Sequence, residues 1–375
     1  TFFRLCEASC GVPASYYDYL RGERHEPYDA STQPLWAQAR AEAIQVELGT
    51  IDGDNCLAKA FENKIAPGED WVLIGGPPCQ AYSLAGRSRN KGIRNYTPEK
   101  DERHFLYSHY LSILAQHRPA AFLMENVKGI LSSQVDGNLI FPQIMRDLQR
   151  PDIALGAPDG ICYQLRPFVV PSAGQDALEP QNFIVRAEHF GVPQARHRVI
   201  ILGVREDKAV EADKVVLSPS TLRCPVNLNS FIASMPRVRS GLSRGSGGTS
   251  EWLTAIRSEI QERVSTGLSI DVARQMRQYL ENQGRDIFPH GKGGSFVEGH
   301  VKRKSRTLAE KRLHSWLTSP RLGGVVNHES KSHMASDLVR YLFASWHAEK
   351  TGRTPKADEF PQALAPDHRN WKSGD

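Results

Sequence analysis

The 375-residue sequence contains no apolar run close to the roughly 18 residues that a membrane-spanning helix needs. Its six cysteines include no CxxC pair, which argues against a zinc ribbon and a disulfide framework and fits a reducing compartment. The first residues lack the charge and apolar pattern of a secretory signal peptide. We therefore expect a cytoplasmic protein without membrane spans.

Positive charge is concentrated in one part of the chain, residues 231–331. The formal net charge is only +5, but residues 231–331 contain 17 Lys and Arg against 9 Asp and Glu. A local basic excess is typical of a segment that binds nucleic acid, although an ordinary solvated surface has it too.

The most informative stretch is residues 70–90, DWVLIGGPPCQAYSLAGRSRN. The apolar run Trp71–Ile74 predicts a buried strand of a parallel sheet, which two glycines end and two prolines continue as a stiff loop. Ligands bind at this edge of open α/β sheets. Cys79 in the loop is therefore either a nucleophile or a small apolar residue packed beside a turn.

Two further stretches place polar side chains beside predicted strands. Glu125 and Asn126 directly follow an apolar run, where a carboxylate is uncommon unless it has a partner or a task. Gln194, Arg196 and Arg198 alternate before the next strand, which predicts that all three lie on one side of an extended segment.

Three of these motifs, in this order, resemble the core motifs of the DNA (cytosine-5) methyltransferases: PCQ at 78–80, ENV at 125–127 and QxRxR at 194–198. The resemblance covers roughly residues 45 to 206. It implies an α/β fold, a Rossmann-like sheet that binds S-adenosyl-L-methionine, here incomplete, with a smaller loop-rich target-recognition domain. It also implies methyl transfer to C5 of a cytosine flipped out of double-stranded DNA.

The resemblance implies catalytic roles for Cys79 as nucleophile and for Glu125 and Arg198 around the cytosine ring. Supporting roles fall to Pro78, Gln80, Asn126, Gln194 and Arg196. Asp54, or Asp52 in its place, and Pro77 are candidates for the cofactor wall, although the Asp-Gly-Asp segment by itself favours a simple turn. Candidate DNA contacts are Arg87, Arg89, Arg94, Lys302, Arg303 and Lys304.

The predicted organisation has four parts: a helical extension over 1–44, a catalytic core over 45–206, a target-recognition domain over 207–335, and a helix with a polar tail over 336–375. No metal site is expected. The histidines of HESKSH, at 328 and 333, are five apart rather than the four of HExxH and do not share a helix face.

Two family features are missing from the sequence: a glycine-rich FxGxGG-type turn before Cys79 and a closing GN-type turn. We therefore expect a chain clipped at both ends, and the alternative function is a truncated or degenerate DNA-binding homologue. A cysteine hydrolase is a further rival, but no histidine with a matching acid lies beside a predicted strand end. We expect a monomer, and a cognate restriction endonuclease as a functional partner rather than a stable complex.

Overall fold

The structure is a computed structural model. It describes residues 6, 11–77, 106–135, 137–169, 178–209, 226–245, 248–287, 291–299 and 307–366. The chain forms two compact units. We call Ala43–Leu228 with Thr307–Glu310 the sheet unit, and Thr1–Glu42, Asn229–Arg306 and Lys311–Asp375 the helical unit. Among the described residues, no helix is long and apolar enough to cross a membrane.

The described α-helices are α1 Ala14–Arg21, α2 Gln33–Glu42, α3 Ile51–Lys64, α4 Leu106–His117, α5 Phe141–Gln149, α6 Pro151–Ala154, α7 Asn229–Ile232, α8 Thr249–Ser265, α9 Ile270–Ile287, α10 Leu308–Leu317 and α11 Ala335–Thr351. The strands are β1 Val72–Gly75, β2 Ala121–Val127, β3 Gln134–Val135, β4 Asn138–Leu139, β5 Tyr163–Pro167, β6 Ile184–Arg186, β7 His197–Arg205, β8 Gly241–Leu242, β9 Gly293–Glu298, β10 Gly324–Glu329 and β11 Ser332–His333.

A mixed five-stranded sheet is the centre of the sheet unit. Its order is β1-β2-β7-β5, and β6 also pairs with β7. β1 and β2 are parallel, whereas β7 is antiparallel to β2, β5 and β6. The carboxyl end of β2 and the amino end of β7 therefore meet at one edge. The predicted α/β class is confirmed.

The main core lies on one face of this sheet. Alternation along β2 and β7 puts Phe122, Met124, Val199 and Ile201 on that face, where all four are buried. They pack against apolar residues of α4 and α5, namely Tyr110, Leu111, Leu114, Phe141, Ile144 and Leu148. Burial of one such side chain stabilises the fold by about 1.5–3 kcal/mol.

The prediction that β1 is a buried strand was wrong for two of its residues. Val72 and Ile74 are 55% and 75% exposed, while Leu73 packs against the main core. The reason is their position: β1 is the last strand in the pairing order, and Val72 and Ile74 share the face opposite the main core with their partners on β2. Among the described residues, the main core therefore packs against one side of this strand.

The helical unit has its own core between α8, α9 and α11. Trp252, Ile256 and Ile260 recur at a spacing of four on α8, so that they form one buried stripe. Leu338 and Phe343 of α11 belong to the same apolar cluster. An antiparallel ribbon of β9 and β10 belongs to this unit as well. The predicted boundaries near 44, 206 and 335 stay predictions beside these two units.

Candidate active site

The loop after β1 passes directly beside Glu125. A Cβ atom added to Gly76 would lie 3.2 Å from Oε2 of Glu125 and 3.5 Å from its backbone oxygen. A side chain at this position would therefore press on the carboxylate, and glycine permits the close approach. Sequence reasoning treated Gly76 only as the end of a strand. The signal that could have revealed this role is a glycine pair at the carboxyl end of an apolar strand.

The side chain of Asn126 links the same loop to β2 by a hydrogen bond. Its Nδ2 donates a hydrogen bond to the backbone oxygen of Pro77 at 3.3 Å, and its Oδ1 accepts one from the backbone N–H of Val127 at 2.9 Å. The Asn126 side chain is buried, so both bonds are made away from solvent. A buried amide that lost these partners would cost about 1–3 kcal/mol.

Glu125 and Arg198 form an ion pair across β2 and β7. Glu125 lies opposite Ile200 and Val127 opposite Arg198, so the two charged residues are diagonal neighbours on one face. Arg198 Nε lies 2.8 Å from Glu125 Oε1. Glu125 was expected at a strand end, but β2 continues to Val127 and holds it within the ladder.

The guanidinium of Arg198 is held on two sides. Its Nη1 donates to the backbone oxygen of His197 at 2.8 Å. Nε is buried and has no well-aligned hydrogen bond within the described residues, so its contact with Glu125 is an ion pair with poor N–H alignment. The Glu125 side chain remains 45% exposed. The pair can therefore still be reached by a planar ligand.

Arg196 adds a second positive charge to this edge. Its Nη2 lies 4.0 Å from the same Glu125 oxygen, and its side chain is 50% exposed. Arg196 and Arg198 thus both approach Glu125, but the N–H of Arg196 donates to the oxygen of Gln194 at 2.9 Å, so the predicted extended segment over 194–198 is wrong before β7. Gln194 lies in a tight turn, in which its N–H donates to the oxygen of Val192 at 2.8 Å, and it is exposed.

A hydrogen bond between side chains links the start of β7 to the preceding turn. His197 Nε2 lies 2.6 Å from Oε1 of Glu188, which belongs to the short 3-10 helix Ala187–Phe190. Hydrogen bonds from its own backbone amide and from His197 lower the pKa of Glu188. This pair was not predicted, and the two residues share no local sequence signal because a turn separates them.

Asp54 lies in the first turn of α3. Its Oδ1 accepts a hydrogen bond from the backbone N–H of Gly49 at 2.9 Å. Thr50 caps the same helix by accepting from the N–H of Gly53 at 3.1 Å. The Asp-Gly-Asp segment is thus part of a capped helix start.

The remaining predicted site residues lie outside the part of the chain that the structure describes. They are Cys79, Pro78, Gln80, Arg87, Arg89, Arg94, Lys302, Arg303 and Lys304. In the described part, no group of three or more His, Cys, Asp or Glu side chains could hold a metal ion. His328 of the HESKSH motif bonds the backbone oxygen of Pro236 at 2.6 Å.

The family model of the C-5 cytosine-specific DNA methylases matches residues 47–152 and 179–316. The type II methyltransferase M.Bpa9945I of Bacillus paralicheniformis is 32% identical over 165 residues, which are 44% of this chain and 32% of the relative. The DNA (cytosine-5-)-methyltransferase M.ApeKI of Aeropyrum pernix is 31% identical over 170 residues, 44% of this chain and 33% of the relative.

The type II methyltransferase M.DdeI of Desulfomicrobium norvegicum is 25% identical over 244 residues, which are 64% of this chain and 49% of the relative. The matched part of the chain thus spans between about a third and a half of the length of these curated relatives. The family model covers more than half of the chain and includes both strands that carry Glu125 and Arg198. The chain therefore belongs to the C-5 cytosine-specific DNA methylase family.

Proposed function

We propose that this chain carries the catalytic residues of a DNA cytosine-5 methyltransferase, which transfers a methyl group from S-adenosyl-L-methionine to C5 of a flipped cytosine. The observation that carries the proposal is the ion pair of Glu125 and Arg198, 2.8 Å apart, beside the loop at Gly76 and Pro77. In the sequence, Cys79 is two residues beyond Pro77. A carboxylate, a guanidinium and the thiol-bearing loop are thus assigned to one edge of the sheet.

The chemistry requires temporary activation of the cytosine ring, because C5 is too weakly nucleophilic to take a methyl group unaided. The Cys79 thiolate adds to C6, and the C5–C6 electron pair becomes available at C5. Glu125 stabilises the negative charge that develops at N3 by holding a proton between its carboxyl group and N3. Arg198 has five fixed donors and a permanent charge, so it can donate to O2 while it orients Glu125.

S-adenosyl-L-methionine, when bound, supplies an electrophilic methyl group at its sulfonium. After C5 has taken the methyl group, loss of the C5 proton to a water molecule restores the ring double bond, breaks the bond from sulfur to C6 and returns Cys79 as thiolate. Asp54 is exposed and uses Oδ1 for Gly49, which leaves its Oδ2 open among the described residues as the acceptor that we propose for the cofactor. That oxygen would accept from the adenine amino group.

The substrate class is double-stranded DNA, since a cytosine inside a duplex can be reached only after it is flipped out of the stack. The basic excess over residues 231–331 supports DNA binding by this part of the chain. The names of several relatives place them among type II methyltransferases. A cognate restriction endonuclease, action on cytoplasmic DNA and a monomeric state follow as parts of the same proposal.

The test is covalent trapping on duplex DNA that contains 5-fluorocytosine, in the complete enzyme with S-adenosyl-L-methionine. Fluorine at C5 cannot leave as a proton does, so the adduct should persist as a slower band in a denaturing gel. Cys79→Ser should abolish the band, whereas the control Cys56→Ser, at a free cysteine of α3, should keep it. A band that survives Cys79→Ser would refute the assignment of the nucleophile.

Glu125→Gln separates the role of the carboxylate from that of the thiol. We expect the adduct to form at least about 100-fold more slowly, because the proton at N3 is no longer available. Binding of DNA should change little, and it can be followed in the same samples by fluorescence anisotropy. An unchanged rate would show that Glu125 does not act on the ring.

A further inference from the structure

Helix α10 has a buried side and an exposed side. On its buried side, His314 is 1% exposed, its Nε2 donates to the backbone oxygen of Ser230 at 3.0 Å, and its ring stacks on Phe231 with centroids 4.3 Å apart. These contacts lie within the helical unit and fix the rotation of the helix. The opposite side is therefore presented to solvent in a defined way.

The exposed side carries two cations and a tryptophan. Lys311, Arg312, Ser315 and Trp316 are all exposed, and Trp316 reaches 81%. Arg312 and Trp316 are four residues apart, so they lie on the same side of the helix, about 6 Å apart along its axis. Tryptophan is usually largely buried, so an indole left this open is unusual.

No described residue forms an ion pair with the two cations on this side. Within the described residues, Lys311 and Arg312 form no ion pair, whereas Arg263 and Arg274 of the same unit pair with Glu259 and Asp271. Two unpaired cations attract a polyanion, and an open aromatic face one turn away offers a surface on which a base can stack. An acidic or purely apolar protein partner would match only half of this surface.

We propose that Lys311, Arg312 and Trp316 form a DNA contact, in which the cations meet backbone phosphates and the indole stacks on a base exposed in the bound DNA. The proposal rests on the proposed function for its choice of DNA. It assigns these three residues to substrate binding and not to the chemistry at Glu125 and Arg198. Flipping a base opens the stack of a duplex, which makes such an exposed base available.

The test measures the affinity of the chain for a fluorescein-labelled cytosine-containing duplex by anisotropy. Trp316→Ala should weaken binding roughly tenfold, within the range for loss of one aromatic–base stack, and Trp316→Phe should retain most of the affinity. The matched control is Tyr341→Ala, an aromatic residue on α11 that is 54% exposed and contacts the ring of His333. Circular dichroism checks that each variant is folded.

The cations are tested by the salt dependence of the same affinity. The double variant Lys311→Ala/Arg312→Ala should lower the slope of log affinity against log salt by about two, one for each phosphate contact. Arg274→Ala removes an exposed arginine that is paired with Asp271, and it should leave the slope unchanged. If the double variant and the control both show the salt slope of the wild type, the cations do not contact DNA.

The outcomes separate this proposal from the proposed function. If wild type forms the 5-fluorocytosine adduct and Trp316→Ala forms it at saturating DNA but with weaker affinity, both stand. If wild type forms no adduct and Trp316→Ala still weakens DNA binding, only the DNA contact stands. If Trp316→Ala binds DNA as wild type but changes the sedimentation of the protein, the surface joins copies of the chain and the proposal is overturned.

Discussion

Gly203→Ala tests how closely β2 and β7 are packed beside the site. Gly203 lies directly opposite Phe122 in the ladder, and a Cβ atom at Gly203 would lie 2.1 Å from Cε1 and 2.3 Å from Cζ of Phe122. Ordinary contact between carbon atoms is about 3.5–4.0 Å, so the ring would have to move by about 1.5 Å.

The Phe122 ring has little room for such a movement. It is fully buried, and the rings of Tyr110 and Tyr163 contact it edge-on with centroids 6.1 and 5.1 Å away. Overpacking of a filled core costs about 1–3 kcal/mol, and we expect the upper end of this range because neither neighbour is free to yield. For a unit of this size the melting temperature should fall by roughly 6–12 °C.

The assay is thermal and urea unfolding of the wild type, Gly203→Ala, Phe122→Leu and the double variant. The smaller Leu side chain should make room for the new methyl group, so the double variant should be more stable than the sum of the two single effects predicts, by about 1 kcal/mol or more. If Gly203→Ala alone unfolds like the wild type, the tight packing deduced at this position is refuted.

Four further substitutions have defined outcomes. Arg198→Lys, which loses the planar fork, should lower the adduct rate by about 10²-fold, whereas Arg196→Ala should lower it less than tenfold, because only Arg198 lies within hydrogen-bonding distance of Glu125. Glu188 has a lowered folded-state pKa, so its stabilisation is present above the unfolded-state value of about 4.3 and is lost as the pH falls through the folded-state value. Glu188→Gln should therefore reduce the loss of stability in urea titrations below pH 5. Thr50→Ala should cost about 1 kcal/mol in the same assay through loss of a helix cap.

Much of the sheet unit could be predicted from local patterns. The apolar runs before Glu125 and after Arg198 fall within β2 and β7, although these strands extend further and include both residues. Glu125 and Arg198 lie where the carboxyl end of β2 meets the amino end of β7, which the two local patterns indicated. These features were accessible because each depends on a few consecutive residues and on the pleat of a strand.

The remaining features depend on contacts between distant segments. Exposure of Val72 and Ile74 follows from the place of β1 in the sheet, which no property of the run Trp71–Ile74 reveals. The bond from Asn126 to Pro77 and the pair of His197 with Glu188 likewise require the folded arrangement. The outward position of Trp316 is of the same kind, because His314 fixes the rotation of α10 through contacts with another helix.

The diagonal placement of Glu125 and Arg198 has a consequence for how such a protein can evolve. Their separation is set by the register of β2 on β7 and not by the length of the chain that connects the two strands. Insertions in the turns between Val127 and His197, outside α5, β5 and β6, can therefore accumulate without moving the pair. Deletion of one residue inside β7 would instead turn Arg198 to the opposite face, so these turns are free to diversify while the strand itself is not.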